Sequence, residues 1–229
     1  MVSAPTPQPV TFRVDDAQSV SGLLCLPDDA QACYVLAHGA GAGMNHSFMA
    51  AMADGLAERR IATLRYQFSY MERGSKRPDL PKLAHAAVRA AVAEAARLCP
   101  SLALIAGGKS FGGRMTSQAQ AASPLPGVRG IAFLGFPLHP AGQPSDERAR
   151  HLAEVMLPML FLQGTRDELA APTLVQALVE RLGARATLEL IDGADHSFHV
   201  FARSGRNDAQ VRTELLDMLA AWVSRVLAR

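Results

Sequence analysis

Leu102-Ala103-Leu104-Ile105-Ala106-Gly107-Gly108-Lys109-Ser110-Phe111-Gly112-Gly113 decides how this chain is read. A continuous apolar run over 102–106 predicts a buried strand, and the residues from 111 to about 122 have the composition of a helix. Between them lie glycines that neither element favours, so the segment reads as strand, sharp turn, helix. Gly108-Lys109-Ser110-Phe111-Gly112 fits the pattern G-x-S-x-G in the context that gives it meaning. At the apex of so tight a turn the serine is held in a strained backbone, and side chains two residues to either side would collide, so glycine is required there. Ser110 should then project from the carboxyl end of the sheet. The free N–H groups opening the next helix point toward its hydroxyl and favour negative charge developing there. Gly108-Lys109-Ser110 also invites a phosphate-loop reading, but that motif needs a glycine where Ala103 stands, inside the strand.

Working outward, short apolar runs at 20–26, 33–37, 61–64, 128–134, 159–163 and 187–191 alternate with helical segments at 47–60, 80–98, 146–156, 172–182 and 209–227. That alternation predicts an α/β protein on a mainly parallel sheet. The run at 20–26 is placed at an antiparallel edge, and Ser47 is expected to cap the first helix. No repeat or linker divides the 229 residues, so one domain is expected over 1–229, with residues 1–10 as a flexible tail.

A serine hydroxyl is a poor nucleophile near neutral pH and needs a base within hydrogen-bond reach and a group that fixes the base's tautomer. His196, in Asp192-Gly193-Ala194-Asp195-His196-Ser197-Phe198, follows the last strand and can return to the same sheet edge. Asp167, just beyond the strand at 159–163, falls on that edge too. Asp192 and Asp195 are rivals as its partner, and Glu168 a substitute, but a neighbour within one loop seldom turns its carboxylate back on the imidazole. An oxyanion needs two donors. The backbone N–H of Phe111 is the first, and Ala40 or Gly41, in the glycine-rich stretch His38–Gly43, is the second, because small residues let the main chain approach a substrate.

Over nearly its whole length the chain resembles the α/β-hydrolase superfamily, and within it the small lidless predicted hydrolases related to dienelactone hydrolases. The narrower likeness rests on His38-Gly39-Ala40-Gly41, Phe68-Ser69-Tyr70-Met71-Glu72 with Arg77-Pro78-Asp79, Gly107 to Arg114, Gly135-Phe136-Pro137-Leu138-His139-Pro140 and Gln163-Gly164-Thr165-Arg166-Asp167. The resemblance implies an α/β-hydrolase fold with helices on both faces of the sheet and a minimal or absent cap, since only residues 137–156 occupy the place where larger relatives carry an insertion. It also implies a triad of Ser110, Asp167 and His196. His38, Tyr70 and His139 are candidates for the substrate-binding wall, with His46 at the rim. Tyr66, Phe68 and Tyr70 have packing against the sheet as their other reading, and His38 reads as a structural hydrogen-bonding residue rather than a second base. Arg114, Arg73, Lys76 and Arg77 read as a solvated face, or as an attraction for an anionic substrate.

Composition narrows the partners. With 23 Lys and Arg against 21 Asp and Glu the formal charge is +2, too weak a field to argue for nucleic acid. No apolar run reaches membrane-spanning length, the first ten residues lack the features of a secretory signal, and three cysteines at unrelated spacings match no disulfide or metal pattern. The expectation is a cytoplasmic serine hydrolase of carboxylesterase or thioesterase type, monomeric or homodimeric. It should act on esters or thioesters of small acyl groups through an acyl-enzyme, without cofactor or metal. An inactive interaction module on the same fold is the alternative.

Overall fold

Apolar runs buried on both faces form the centre of a parallel sheet, because helices must cover each face. In the computed structural model, which describes residues 5–229, eight strands among the described residues form one sheet in the order β1-β2-β4-β3-β5-β6-β7-β8. They are β1 Gln8–Arg13, β2 Ser19–Cys25, β3 Ala32–Ala37, β4 Ile61–Tyr66, β5 Ala103–Lys109, β6 Val128–Leu134, β7 Met159–Gly164 and β8 Ala186–Ile191. β1 and β2 are joined antiparallel, as are β2 and β4; every other neighbouring pair is parallel. The sheet is open rather than closed into a barrel.

Helices α1 (Ser47–Ala57), α2 (Ser69–Glu72), α3 (Pro81–Leu98), α4 (Phe111–Ala122), α5 (Pro172–Leu182) and α6 (Asp208–Leu227) complete the α/β fold. The period of two along the strands sorts the core. Val35, Leu64 and Ala106 face α3 and α4, while Tyr34, Leu36 and Ile105 on the alternate positions pack with Met52 of α1 and Trp222 of α6. α5 buries Val175 and Leu178 with Phe133 and Phe161. Among the described residues no helix is long and apolar enough to cross a membrane.

Four expectations are corrected. Residues 8–10 belong to β1, so the tail expected over 1–10 does not extend that far; residues 1–4 lie outside the described residues. β1 takes the edge, where Pro9 lacks an N–H to donate, and the strand expected at the edge is second from it. The cap of α1 is His46, whose Nδ1 accepts a 3.2 Å hydrogen bond from Phe48 N, so Ser47 is already helical. The helix expected over 146–156 is a 3-10 helix, Glu147–Glu154. Its buried residues Ala149 and Leu152, followed by Val155, are three apart, which suits three residues per turn.

The parallel strands end together. Register pairs Ala37 with Gly108, Lys109 with Leu134 and Gly164 with Ile191, so the loops leaving β3, β5, β6, β7 and β8 share one carboxyl rim.

Candidate active site

β5 lies between β3 and β6, and its last residues are squeezed by both. A Cβ on Gly108 would sit 2.1 Å from the carbonyl oxygen of Ala37, and Gly108 has φ +147°. A Cβ on Gly112 would sit 2.5 Å from the carbonyl oxygen of His38. Only glycine lets the strand turn into α4 so abruptly. Ser110, at the turn, has φ 49° and ψ −115°, a backbone state that L-residues rarely adopt. Its N–H donates to Leu134 O at 3.2 Å, which fixes the turn against β6.

His196 Nε2 lies 2.8 Å from Ser110 Oγ, and His196 Nδ1 lies 2.7 Å from Asp167 Oδ2. A carboxylate only accepts, so Nδ1 carries the proton and the lone pair of Nε2 faces the serine hydroxyl. The Asp167 carboxylate is buried and held from two further sides: Gln163 Nε2 donates to Oδ2 at 2.5 Å, and Leu169 N donates to Oδ1 at 2.8 Å. Gln163 is oriented in turn, because its Oε1 accepts from Phe136 N at 2.9 Å. The rival acids are engaged elsewhere. Asp195 Oδ1 accepts from Ser197 N and His199 N, Asp192 Oδ1 faces Thr165 Oγ1, and Glu168 is exposed.

Two contacts behind the imidazole were not anticipated. Lys109, half-buried, donates from Nζ to His196 O at 2.5 Å and stands 5.2 Å from the Phe198 ring centre. Burial is the main cause that lowers its ammonium pKa to about 8, against the raising pull of Asp167 and Asp195. Gly135, after β6, passes beneath the ring: a Cβ there would lie 3.5 Å from His196 Nδ1 and 3.1 Å from Lys109 Nζ. The signal for Lys109 was its seat within the G-x-S-x-G pattern; for Gln163 it was a polar residue ending an apolar strand.

The backbone N–H groups of Ala40 and Phe111 donate no hydrogen bond to any described residue, and both residues line the same cavity as Ser110. Gly41 differs: its N–H donates to Tyr70 Oη at 3.1 Å. Tyr70 is buried and therefore steadies the His38–Gly43 loop instead of lining a cavity, which corrects its expected place in the wall. The same correction applies to His38 and His139. His38 Nδ1 donates to Gly39 O at 2.8 Å and its Nε2 accepts from Phe68 N at 3.1 Å. His139 Nδ1 donates to Pro140 O and its Nε2 accepts from Ala171 N, both at 2.9 Å. Each buried imidazole spends both nitrogens on the main chain and pins one loop to another. Burial lowers the His38 pKa to about 4, so its ring stays neutral near pH 7.

Two cavities meet at Ser110. One, of about 350 Å³, is lined by Ala40, His46, Phe48, Lys109 and His196 as well as the serine. The other, of about 340 Å³, lacks the imidazole and is lined by Pro78, Phe111, Arg114, Pro137 and Arg148. Between β6 and β7 the 3-10 helix and its flanking loop are the only cover among the described residues.

A family model for the alpha/beta hydrolase domain matches residues 30–224. Solved structures agree in fold. An alpha-beta serine hydrolase homologue from Coxiella burnetii superposes with a TM-score of 0.74 at 17% identity, covering 95% of this chain and 97% of its own. A lidless serine hydrolase from Xanthomonas campestris gives 0.72 at 20%, covering 95% of each chain. A dienelactone hydrolase from Anabaena variabilis gives 0.75 at 20%, covering 96% of this chain and 99% of its own.

Proposed function

The chain belongs to the alpha/beta hydrolase domain family, and from that premise we propose that it is a serine hydrolase that cleaves esters or thioesters of small acyl groups with Ser110, His196 and Asp167. The observation that carries this reading is the unbroken hydrogen-bond chain from Ser110 Oγ through His196 to Asp167, at a strained turn on the carboxyl rim. An inactive module would have no use for that strain or for a carboxylate held from three sides.

Each group then has a task. Ser110 Oγ attacks the acyl carbon while His196 Nε2 takes its proton, and Asp167 stabilises the resulting imidazolium. The oxyanion accepts from Phe111 N and Ala40 N, of which only the latter needed choosing, since Gly41 N is occupied by Tyr70. The proton on Nε2 passes to the departing alcohol or thiol, which must therefore lie on the imidazole side of the serine. The acyl group remains on Ser110 Oγ until water, deprotonated by His196, attacks it. The shallow cover over the site suits short acyl groups, and three buried free cysteines suit a reducing, cytoplasmic setting. The proposed partners are small ester or thioester molecules, with the chain acting as a monomer or a homodimer.

A fluorophosphonate probe tests the assignment. Ser110 of the wild type should be labelled and Ser110→Ala spared; equal labelling of both would remove Ser110 as nucleophile.

A further inference from the structure

We propose that Arg114 and Arg148 form an anion subsite on the acyl side of Ser110, so that the preferred substrates are esters or thioesters whose acyl chain ends in a carboxylate. The inference rests on the serine hydrolase reading and names its substrate class.

Placement comes first. Arg114 lies one turn into α4, with its N–H donating to Ser110 O at 3.1 Å, and helical side chains lean back toward the N-terminus, which for Arg114 is the direction of the Ser110 turn; both residues line one cavity. Arg148 reaches the same cavity from the 3-10 helix. That cavity excludes His196. Since the proton from the imidazole must go to the leaving group, the cavity shared with His196 receives the leaving group and the arginine-lined one receives the acyl chain. Pro78, Phe111 and Pro137 give it an apolar wall for methylenes, and Arg114 and Arg148 are its cations.

Electrostatics supplies the second argument. Neither guanidinium makes an ion pair or donates a hydrogen bond among the described residues, and Arg114 Nε is fully buried without a partner. Burial, and then the neighbouring Arg148 charge, lower the Arg114 pKa, and no carboxylate opposes them. The nearby His151, its Nε2 2.8 Å from Ser117 Oγ, is held neutral by burial and by Arg114. The cavity's own acid, Asp79, is already spent: Oδ1 pairs with Arg73 at 2.6 Å and Oδ2 accepts from Tyr70 N at 2.8 Å. A cation in the first turn of a helix also opposes the helix dipole. Two like charges without counter-ions, one of them partly desolvated, beside the proposed nucleophile lack the one thing an anionic acyl tail provides.

The experiment compares mono-p-nitrophenyl glutarate with neutral p-nitrophenyl valerate. Wild type should favour the glutarate ester in kcat/KM by at least about tenfold, an advantage that shrinks with added salt. In Arg114→Met/Arg148→Met that ratio should collapse, chiefly through KM, whereas Arg150→Met, at an exposed arginine paired with Glu147, should keep it. Folding is monitored by thermal melting, where loss of the unpaired charges should leave Tm at or above wild type. A second arm needs no turnover: free glutarate should raise the Tm of Ser110→Ala but not of the triple variant. Equal use of the two esters by wild type, or a ratio that survives the double substitution, overturns the subsite while leaving Ser110 labelling intact. Failed labelling with glutarate binding retained would instead overturn the hydrolase reading alone.

Discussion

Lys109 Nζ donates a 2.5 Å hydrogen bond to the main-chain oxygen of His196, so the residue beside Ser110 holds the backbone that carries the imidazole. Lys109 also lines the cavity beside His196, so Lys109→Met should loosen the imidazole while leaving an unbranched side chain of similar length in that wall. Steady-state kinetics should show kcat down by roughly tenfold with KM little changed; a fall confined to KM would count against the tether.

The same ammonium predicts a pH dependence of stability. Its folded pKa of about 8 lies below the ordinary 10.5, so the cost of keeping it charged is fully present below pH 8 and is relieved as pH rises toward 10.5. Over that window the native state releases a proton that the unfolded chain still holds, and stability rises with pH. Facing Lys109 are Asp167, Asp195, the His196 carbonyl and the Phe198 ring. Melts from pH 7 to 10.5 should show the wild type gaining on Lys109→Met; parallel curves would contradict it.

Asp167→Asn keeps the shape but places an amide where His196 Nδ1 and Gln163 Nε2 both donate. The imidazole then favours the tautomer with its proton on Nε2, facing Ser110. A loss in kcat of about 10³- to 10⁴-fold is expected from comparable triads. Fluorophosphonate labelling rates should fall in parallel.

Two glycines should separate clash from conformational strain. Gly108→Ala forces a Cβ to 2.1 Å from Ala37 O, in the middle of the sheet, and should cost more than about 4 kcal/mol or abolish soluble expression. Gly41→Ala meets nothing within 4 Å and should cost only the price of φ +74° for alanine, about 1–2 kcal/mol. Urea titrations of the two proteins decide the contrast.

Tyr70→Phe deletes the acceptor of the Gly41 N–H while leaving the ring packing with Phe68 and Phe111. The His38–Gly43 loop loses about 0.5–1.5 kcal/mol of restraint. If that loop presents Ala40 N to the oxyanion, kcat should drop roughly twofold to tenfold. Unchanged kcat together with a lowered Tm would limit the hydroxyl to a purely structural role.

What could be read from the sequence depended on how much of the physics is local. The glycines around Ser110 announce a turn through sterics alone, and the apolar strands on both sides announce a parallel sheet through composition. Loops after such strands share a rim, which is why Asp167 and His196 could be named before their hydrogen bonds were seen. β1 escaped notice because only Val10 and Phe12 mark its alternation and Pro9 argues against a strand. His38, Tyr70 and His139 were misplaced for a different reason. A loop residue's identity does not reveal which side of the loop it faces, and all three face inward to backbone partners. Arg114 was legible as a charge, but its lack of a counter-ion is a property of distant segments that only folding assembles.

The φ of 49° at Ser110 has a consequence for how the protein ages and fails. A conformation costing on the order of 1–3 kcal/mol persists only while its surroundings hold it there. As heat or denaturant slackens the grip of β3 and β6, this kink can lower its energy by moving. Reactivity toward a serine-directed probe should therefore fade before circular dichroism registers any melting, making Ser110 an early gauge of damage to the scaffold around it.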